Sequence, residues 1–342
     1  MPSLPEDFMS KLPIAHVLAA AALSLAACLS SPVQAYNGLV IFGDSLSDSG
    51  NNASLGLYQA DQSANFAAFG NQWIPTLAYA PGTYSNGPVW ASSFEQMLGL
   101  PPLLHSFAGG SNFAAGGARV STDGNALPSP PFPPNFNYPY SLQTQAAIYL
   151  TSTSNKADPS TLYVVAGGGN DVRDILQYGL DPVAAAASYA LGVGFIVDEL
   201  QAAGAQHILV WNTPDLGKSP FAISANLTAE GSFVATLMNT QLATRLTGEA
   251  GVTIFDSFAF VDSLVANPAS HGFINVTDAC GAAAAGTDCN QYLFWDGIHP
   301  TAAAHQELAL AVFAQAVPEP ASYALLSLGL LVVGRMARRR RA

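Results

Sequence analysis

The sequence is short of charge, and of positive charge above all. Charged residues fill 10% of its 342 positions, and 11 Lys and Arg stand against 23 Asp and Glu, a formal net charge of −12. Five of those bases, Arg335, Arg338, Arg339, Arg340 and Arg341, crowd the last eight positions, so residues 36–316 hold five bases against 20 acids. A body that acidic cannot neutralise a run of phosphates, which excludes a nucleic-acid binder. Cysteine is scarce too: Cys28, Cys280 and Cys289 are the whole supply. No CxxC pair and no Cys/His cluster at metal-ligand spacing occurs, so no zinc site is expected and no cofactor is called for. The GGGN run at 167–170 lacks the Lys-Ser/Thr of a phosphate-binding loop. Apolar side chains are plentiful, half of the total, which argues against disorder and for a sizeable core.

Both ends read as addresses. Lys11 precedes an apolar run from Ile14 to Leu29, and Pro32-Val33-Gln34-Ala35 follows. That is the layout of a secretory signal peptide over 1–35, cleaved after Ala35. Leu25-Ala26-Ala27-Cys28 also resembles a bacterial lipobox, which would lipidate Cys28, and both fates stay open. At the other end, Pro318-Glu319-Pro320 leads into about 14 mostly apolar residues and then the arginine cluster. The span is short for a membrane helix, which needs about 20 residues, and the arginines would stay cytoplasmic. Residues 317–342 resemble the PEP-CTERM sorting signal of Gram-negative bacteria. That resemblance implies transient inner-membrane anchoring, handling by an exosortase-like machinery, and delivery to the periplasm, cell surface or medium. In an exported protein Cys280 and Cys289, on either side of a Gly/Ala-rich loop, form an expected disulfide. Asn52, Asn226 and Asn275 open glycosylation-type tripeptides, which carry no meaning in a bacterium.

The body, 36–316, reads as one α/β domain. Strands are expected at 39–43 (LVIFG), 161–166 (TLYVVA), 206–211 (QHILVW) and 252–255 (VTIF), and helices at 183–203, 230–248 and 302–316. Strand, helix, strand in this rhythm builds βαβ units and a parallel sheet. Such a sheet is covered on both faces, which accounts for strands without apolar/polar alternation. The proline-rich stretch 121–140 reads as a surface loop that borders a cleft or simply makes an excursion.

Ligands of open α/β sheets bind beyond the carboxyl ends of the strands. Gly43-Asp44-Ser45 and Gly167-Gly168-Gly169-Asn170-Asp171 follow strands; Asn112 to Gly117 and Phe294 to Pro300 are two further polar clusters. Acyl transfer to serine needs a hydroxyl, a base, a carboxylate to orient the base, and donors for the oxyanion. Ser45, His299 and Asp296 can supply the first three, and the backbone amides of Ser45 and Gly117 with the Asn170 side chain the fourth. Singly, each has a plainer reading: Ser45 and Asn170-Asp171 as helix caps, Asp296 and His299 as a surface pair or half a metal site.

Together, FGDSLSD (42–48), NFAAGGA (112–118), GGGND (167–171) and DGIHPT (296–301) resemble the GDSL, or SGNH, hydrolase family. YSNGPVW (84–90) and VWNTPDLG (210–217) are similar to its secondary blocks, so the resemblance covers nearly all of 38–315. It implies a three-layer α/β/α sandwich with a mainly parallel, flavodoxin-like sheet. It also implies roles: Ser45 as nucleophile and first oxyanion donor, Gly117 and Asn170 as the other donors, His299 as base, Asp296 as its partner. Gly116 adjoins Gly117 and competes for its place. The GxSxG elbow of α/β-hydrolases is absent around Ser45. The activity so implied is serine esterase or lipase chemistry through an acyl-enzyme, on a small-molecule or lipid ester or on acetylated polysaccharide. An acyltransferase, or a surface binding protein that leaves the scaffold idle, are the alternatives. Phe42, Phe113, Phe294 and Trp295 flank the motifs as candidates for an apolar acyl wall or for core.

Overall fold

Four runs of β-branched and aromatic residues become four parallel strands in the computed structural model, which describes residues 36–55, 78–124 and 137–317. The expected signal peptide with Cys28, the sorting tail and the middle of the proline-rich stretch lie outside the described residues. Strands β1 (Gly38–Gly43), β2 (Thr161–Ala166), β3 (His207–Trp211) and β4 (Val252–Phe255) lie side by side in that order. Their register sets Phe42 beside Val165, Val165 beside Val210 and Val210 beside Ile254. On the free side of β1, Ile41 N donates to Ser111 O (3.0 Å) and Phe113 N to Ile41 O (2.8 Å). This parallel bridge stands where a second strand would be. Counting it, the order is 2-1-3-4-5, that of the flavodoxin-like sheet which the family resemblance implies.

Helices cover both faces, so the fold is the α/β/α sandwich. Val40, Phe42, Tyr163, Val165, Ile208 and Val210 project into the larger core. There they meet α3 (Leu142–Ser152), α4 (Gly169–Tyr178), α5 (Pro182–Ala202) and α7 (Thr228–Arg245). The alternate residues Leu39, Ile41, Leu162, Val164 and Leu209 are equally buried. On their side Trp211 meets Trp90 of α2 (Trp90–Met97), ring centroids 4.6 Å apart, and α2 packs on α9 (Ala302–Ala316). Helix α5 starts at an Asp181 cap with Pro182 in the first turn, a standard entry signal. It is long and apolar enough to cross a bilayer, yet Tyr189, Val193, Ile196, Val197 and Leu200 seat it in the core.

The strands fall within a residue of their expected bounds, and the three expected helices within about three. Periodicity missed α2, α3, α4 and α8 (Ser257–Ala266), the short α1 (Asn51–Ser54) and α6 (Pro220–Ser224), and a second sheet. That sheet pairs β5 (Asn275–Ala279) with β6 (Tyr292–Phe294). Cys280 follows β5, Cys289 precedes β6, and the two form a disulfide with Cα atoms 5.6 Å apart. It closes a loop of about ten residues at the base of the segment that leads to Asp296. Loop-closure entropy for that length is worth about 2–3 kcal/mol. Replacing both cysteines by alanine should lower the urea midpoint accordingly at unchanged m-value, and reductant should bring the unsubstituted protein to the same midpoint. A midpoint indifferent to both would mean the bridge does not constrain the unfolded chain.

Candidate active site

The chain turns sharply at the end of β1. Ser47 N and Asp48 N both donate to Asp44 O at 3.0 Å, leaving Ser45 at the apex. Gly43 cannot be larger: a Cβ there would lie 2.9 Å from Ala166 O. Gln145 of α3 pins the same residue from both sides, accepting from Gly43 N (2.8 Å) and donating to Gly43 O (2.9 Å). Hydrogen bonds of this kind fix the approach of a side chain more tightly than loop packing alone.

After β6 a second turn forms. Asp296 Oδ1 accepts from Ile298 N (2.8 Å) and His299 N (2.7 Å), which turns the imidazole back over the carboxylate. Oδ2 pairs with His299 Nδ1 at 2.6 Å, and on the other ring nitrogen Nε2 lies 2.8 Å from Ser45 Oγ. The carboxylate assigns the proton to Nδ1, so Nε2 is free to accept from the serine hydroxyl. Asp296 is 0% exposed and Ser45 and His299 6% each. The Tyr84 ring lies against the imidazole, centroids 5.3 Å apart.

The glycine-rich loop is tied to the serine turn. Asp48 accepts from Gly50 N, Asn51 N, Asn52 N and Gly116 N, and Asn52 Nδ2 donates to Gly116 O (3.2 Å). With the Gly116 amide spent on Asp48, Gly117 is left as the candidate donor. Its φ of +83° suits glycine, while a Cβ on Gly116 would sit 2.3 Å from the Tyr84 ring. Asn170, in the first turn of α4, donates one amide hydrogen to Ala118 O (2.9 Å), which leaves the other free. Among the described residues neither the Ser45 nor the Gly117 amide has a protein acceptor.

Sequence reasoning named Ser45, His299, Asp296, Gly117 and Asn170. It did not single out Asp48, Asn52 or Tyr84, although all stand in or beside the quoted motifs. It also missed Gln145 and Tyr79, for which nothing in the sequence signals a role. Tyr79 donates from its hydroxyl to Asp296 Oδ2 at 2.6 Å. Of the four flanking aromatics, Phe42 is core, packed on Tyr149 and Phe113, and Trp295 is buried against Tyr79. Phe294 alone of the four lines an apolar cavity whose walls include none of Ser45, Asp296 and His299. That cavity holds about 70 Å³, among Leu46, Pro214, Phe260, Leu264, Phe294 and Ile298. Leu46 and Ile298 are the chain neighbours of Ser45 and His299. Among the described residues no three His, Cys, Asp or Glu side chains converge as metal ligands.

Buried carboxylates surround the triad. Burial pushes Asp44 and Asp48 up to about 6, against the pull of their backbone amide donors. Burial likewise pushes Asp171, with Asp174 close by, to about 7. His305 of α9 is pushed down to about 3 by burial, with His299 adding to it, so it stays neutral and accepts from Trp90 N (3.3 Å).

A family model described as GDSL-like lipase/acylhydrolase matches residues 39–312, and a PEP-CTERM protein-sorting motif matches 316–341. Lipase 1 of Photorhabdus luminescens is 33% identical over 204 residues, 60% of this chain and 26% of that protein. Esterase EstA of Pseudomonas aeruginosa is 27% identical over 317 residues, 82% of this chain and 47% of that one. The chain therefore spans about half or less of the length of these curated relatives. Among solved structures, Est24, a carbohydrate acetylesterase from Sinorhizobium meliloti, superposes with a TM-score of 0.44 at 16% identity, covering 81% of this chain and 96% of that one.

The shifted groups predict how stability varies with pH. Asp44, Asp48 and Asp171 hold protons more tightly folded than unfolded, where an aspartate titrates near about 3.9. Through the window from about 4 to 6 or 7 the folded state binds more protons, so stability falls as pH rises. His305 opposes them: its folded value is depressed, so its share of stability rises with pH from about 3 to 6.5. Three groups outweigh one, and the urea midpoint should be higher at pH 5 than at pH 7.5. An equal or lower midpoint at pH 5 would contradict the burial of these carboxyls.

Proposed function

The chain belongs to the GDSL-like lipase/acylhydrolase family, and from that premise we propose that it is an exported serine esterase acting on short-chain carboxylic esters through an acyl-enzyme. The observation that carries the proposal is the continuous line of contacts from Ser45 Oγ to His299 Nε2 (2.8 Å) and from His299 Nδ1 to Asp296 Oδ2 (2.6 Å). Serine alone is a weak nucleophile and needs a base within hydrogen-bond reach. In this reading Ser45 Oγ attacks the ester carbonyl while its proton passes to His299 Nε2. Asp296 stays ionised and stabilises the imidazolium. The amides of Ser45 and Gly117 and the free Asn170 hydrogen receive the oxyanion. As the tetrahedral species collapses, the alkoxide leaves with the proton from His299. Water, deprotonated by the same nitrogen, then attacks the acyl group and frees the acid and Ser45.

Substrate size is argued from the cavity that Leu46 and Ile298, the chain neighbours of Ser45 and His299, help to line. An apolar cavity of about 150 Å³ takes up benzene. The 70 Å³ bounded by Leu46, Phe294 and Ile298 therefore suits an acyl group of roughly two to four carbons. An acetyl group carried by an exported polysaccharide is the second reading, favoured by that small volume and by the sorting motif at 316–341. The motif also supports export from a Gram-negative cell and an exosortase-type partner.

Ser45→Ala should abolish turnover of p-nitrophenyl acetate and butyrate without moving the unfolding midpoint. Asn170→Ala should cost about 10²–10³ in kcat. Across a nitrophenyl ester series kcat/KM should peak between acetyl and butyryl and fall steeply by octanoyl. Undiminished turnover by Ser45→Ala, or failure of a fluorophosphonate to label Ser45 in folded protein, would refute the hydrolase reading. A maximum at long chains would refute the cavity argument alone.

A further inference from the structure

Four donors hold the Asp296 carboxylate, and three of them come from its own turn: Ile298 N, His299 N and His299 Nδ1. The fourth is the Tyr79 hydroxyl, which lies 217 residues away in sequence and donates to Oδ2 at 2.6 Å, the oxygen that also receives His299 Nδ1. We propose that Tyr79 is a positioning residue for the hydrolase reaction argued above: it fixes the rotamer of Asp296 and tempers the charge that Asp296 presents to His299.

The tyrosine is not an isolated contact. It begins a segment strapped along the histidine loop. Its ring meets Trp295 edge-on, centroids 6.0 Å apart. Ser85 Oγ donates to Pro300 O (2.8 Å), Asn86 Oδ1 accepts from Ala302 N (2.7 Å), and the Tyr84 ring covers the imidazole. Residues 79–86 thus touch the turn from its first residue to the start of α9. The strap is itself braced, since Ala80 N donates to Ser85 O (2.8 Å). Because Asp296 is fully buried, water cannot stand in for a lost phenol. A carboxylate stripped of one donor in a dry site holds its partner's proton more tightly. The other groups that act on His299 are Asp44, with Arg173 close to it, and the neutral His305. None of them changes when the Tyr79 hydroxyl is removed.

Tyr79→Phe keeps the ring against Trp295 and deletes only the donor. In the full chain, with p-nitrophenyl acetate, the acidic limb of the pH–rate profile should move to higher pH by ~0.5–1 unit. The kcat plateau should fall about tenfold, as for a lost hydrogen bond to a charged group, with KM little changed. In an Asp296→Asn background, Tyr79→Phe should add no further shift. Should Tyr79→Phe fail to fold, 3-fluorotyrosine at position 79 preserves the contact as a stronger donor and should move the limb to lower pH. An active protein whose limb ignores both changes, or a Tyr79→Phe effect equally large with Asn at 296, overturns the proposal. It leaves the hydrolase reading standing; that reading fails instead if the unsubstituted protein shows no turnover.

Discussion

Everything proposed for this protein depends on one contact, the 2.8 Å approach of Ser45 Oγ to His299 Nε2 across 254 residues of sequence. It joins the end of the first strand to the loop before the last helix, so it exists only when the whole sheet has assembled. Other bonds close the same gap: Tyr36 OH donates to Ala316 O at 2.6 Å, uniting the two ends of the domain. Each long-range contact of this kind has a loop-closure cost that the sheet has already met. The site therefore inherits the cooperativity of the fold.

What holds the site is polar rather than apolar. Around the serine turn, Asn51 Nδ2 donates to Asn112 O (2.9 Å) and Ala114 O (2.8 Å), and Asn112 Nδ2 to Ser47 O (2.8 Å) and Ser49 Oγ (2.9 Å). Asp48, Asn52 and Gln145 continue the web to the glycine loop and to the strand. Burying so many amides and carboxyls is costly unless each is satisfied, and these are. The web also accounts for the reduced second strand. Ser111 and Phe113 spend their backbone on Ile41 and Ala115 N reaches Gly43 O (3.1 Å), but Gly43 N is taken by the Gln145 side chain, so the ladder is left incomplete. The raised carboxyls of Asp44 and Asp48 are the energetic trace of that choice.

How much of this was legible in the sequence follows from what leaves a periodic or local mark. Strands β1 to β4 are dense in Val, Ile, Leu and Tyr and end at glycine or polar residues, so their bounds were readable. Helix α5 announced itself by its length and its run of alanines. Helix α4 did not, because its first turn is Gly169-Asn170-Asp171, which reads as a loop motif before it reads as helix. Sheet β5–β6 was hidden because Asn275–Ala279 (NVTDA) is short and three of its five residues are polar. Ser45, Asp296, His299, Gly117 and Asn170 could be named as candidates because acyl-transfer chemistry needs particular residue types at strand ends, and the structure brings Ser45, His299 and Asp296 into contact. Tyr79 and Gln145 could not, because a lone tyrosine or glutamine makes its contact only in three dimensions. Phe42 and Phe113, readable from the sequence as acyl wall or as core, both pack on Tyr149, because adjacency to a motif leaves open which face a side chain takes.

The charge of the domain adds a last constraint. With 20 acids against five bases between residues 36 and 316, the body is negative, and Asp44 and Asp48 keep negative charge beside the serine turn at neutral pH. A neutral ester meets no electrostatic barrier at such a surface, whereas the carboxylate released by hydrolysis is repelled. The same field disfavours an anionic polymer as substrate. On the proposed mechanism the oxyanion would form within reach of the Ser45 and Gly117 amides and the Asn170 side chain, which would offset this penalty. The proposal thus divides the labour: the surrounding field would favour neutral substrates and departing acids, while the Ser45 and Gly117 amides and the Asn170 side chain would favour the transient negative charge.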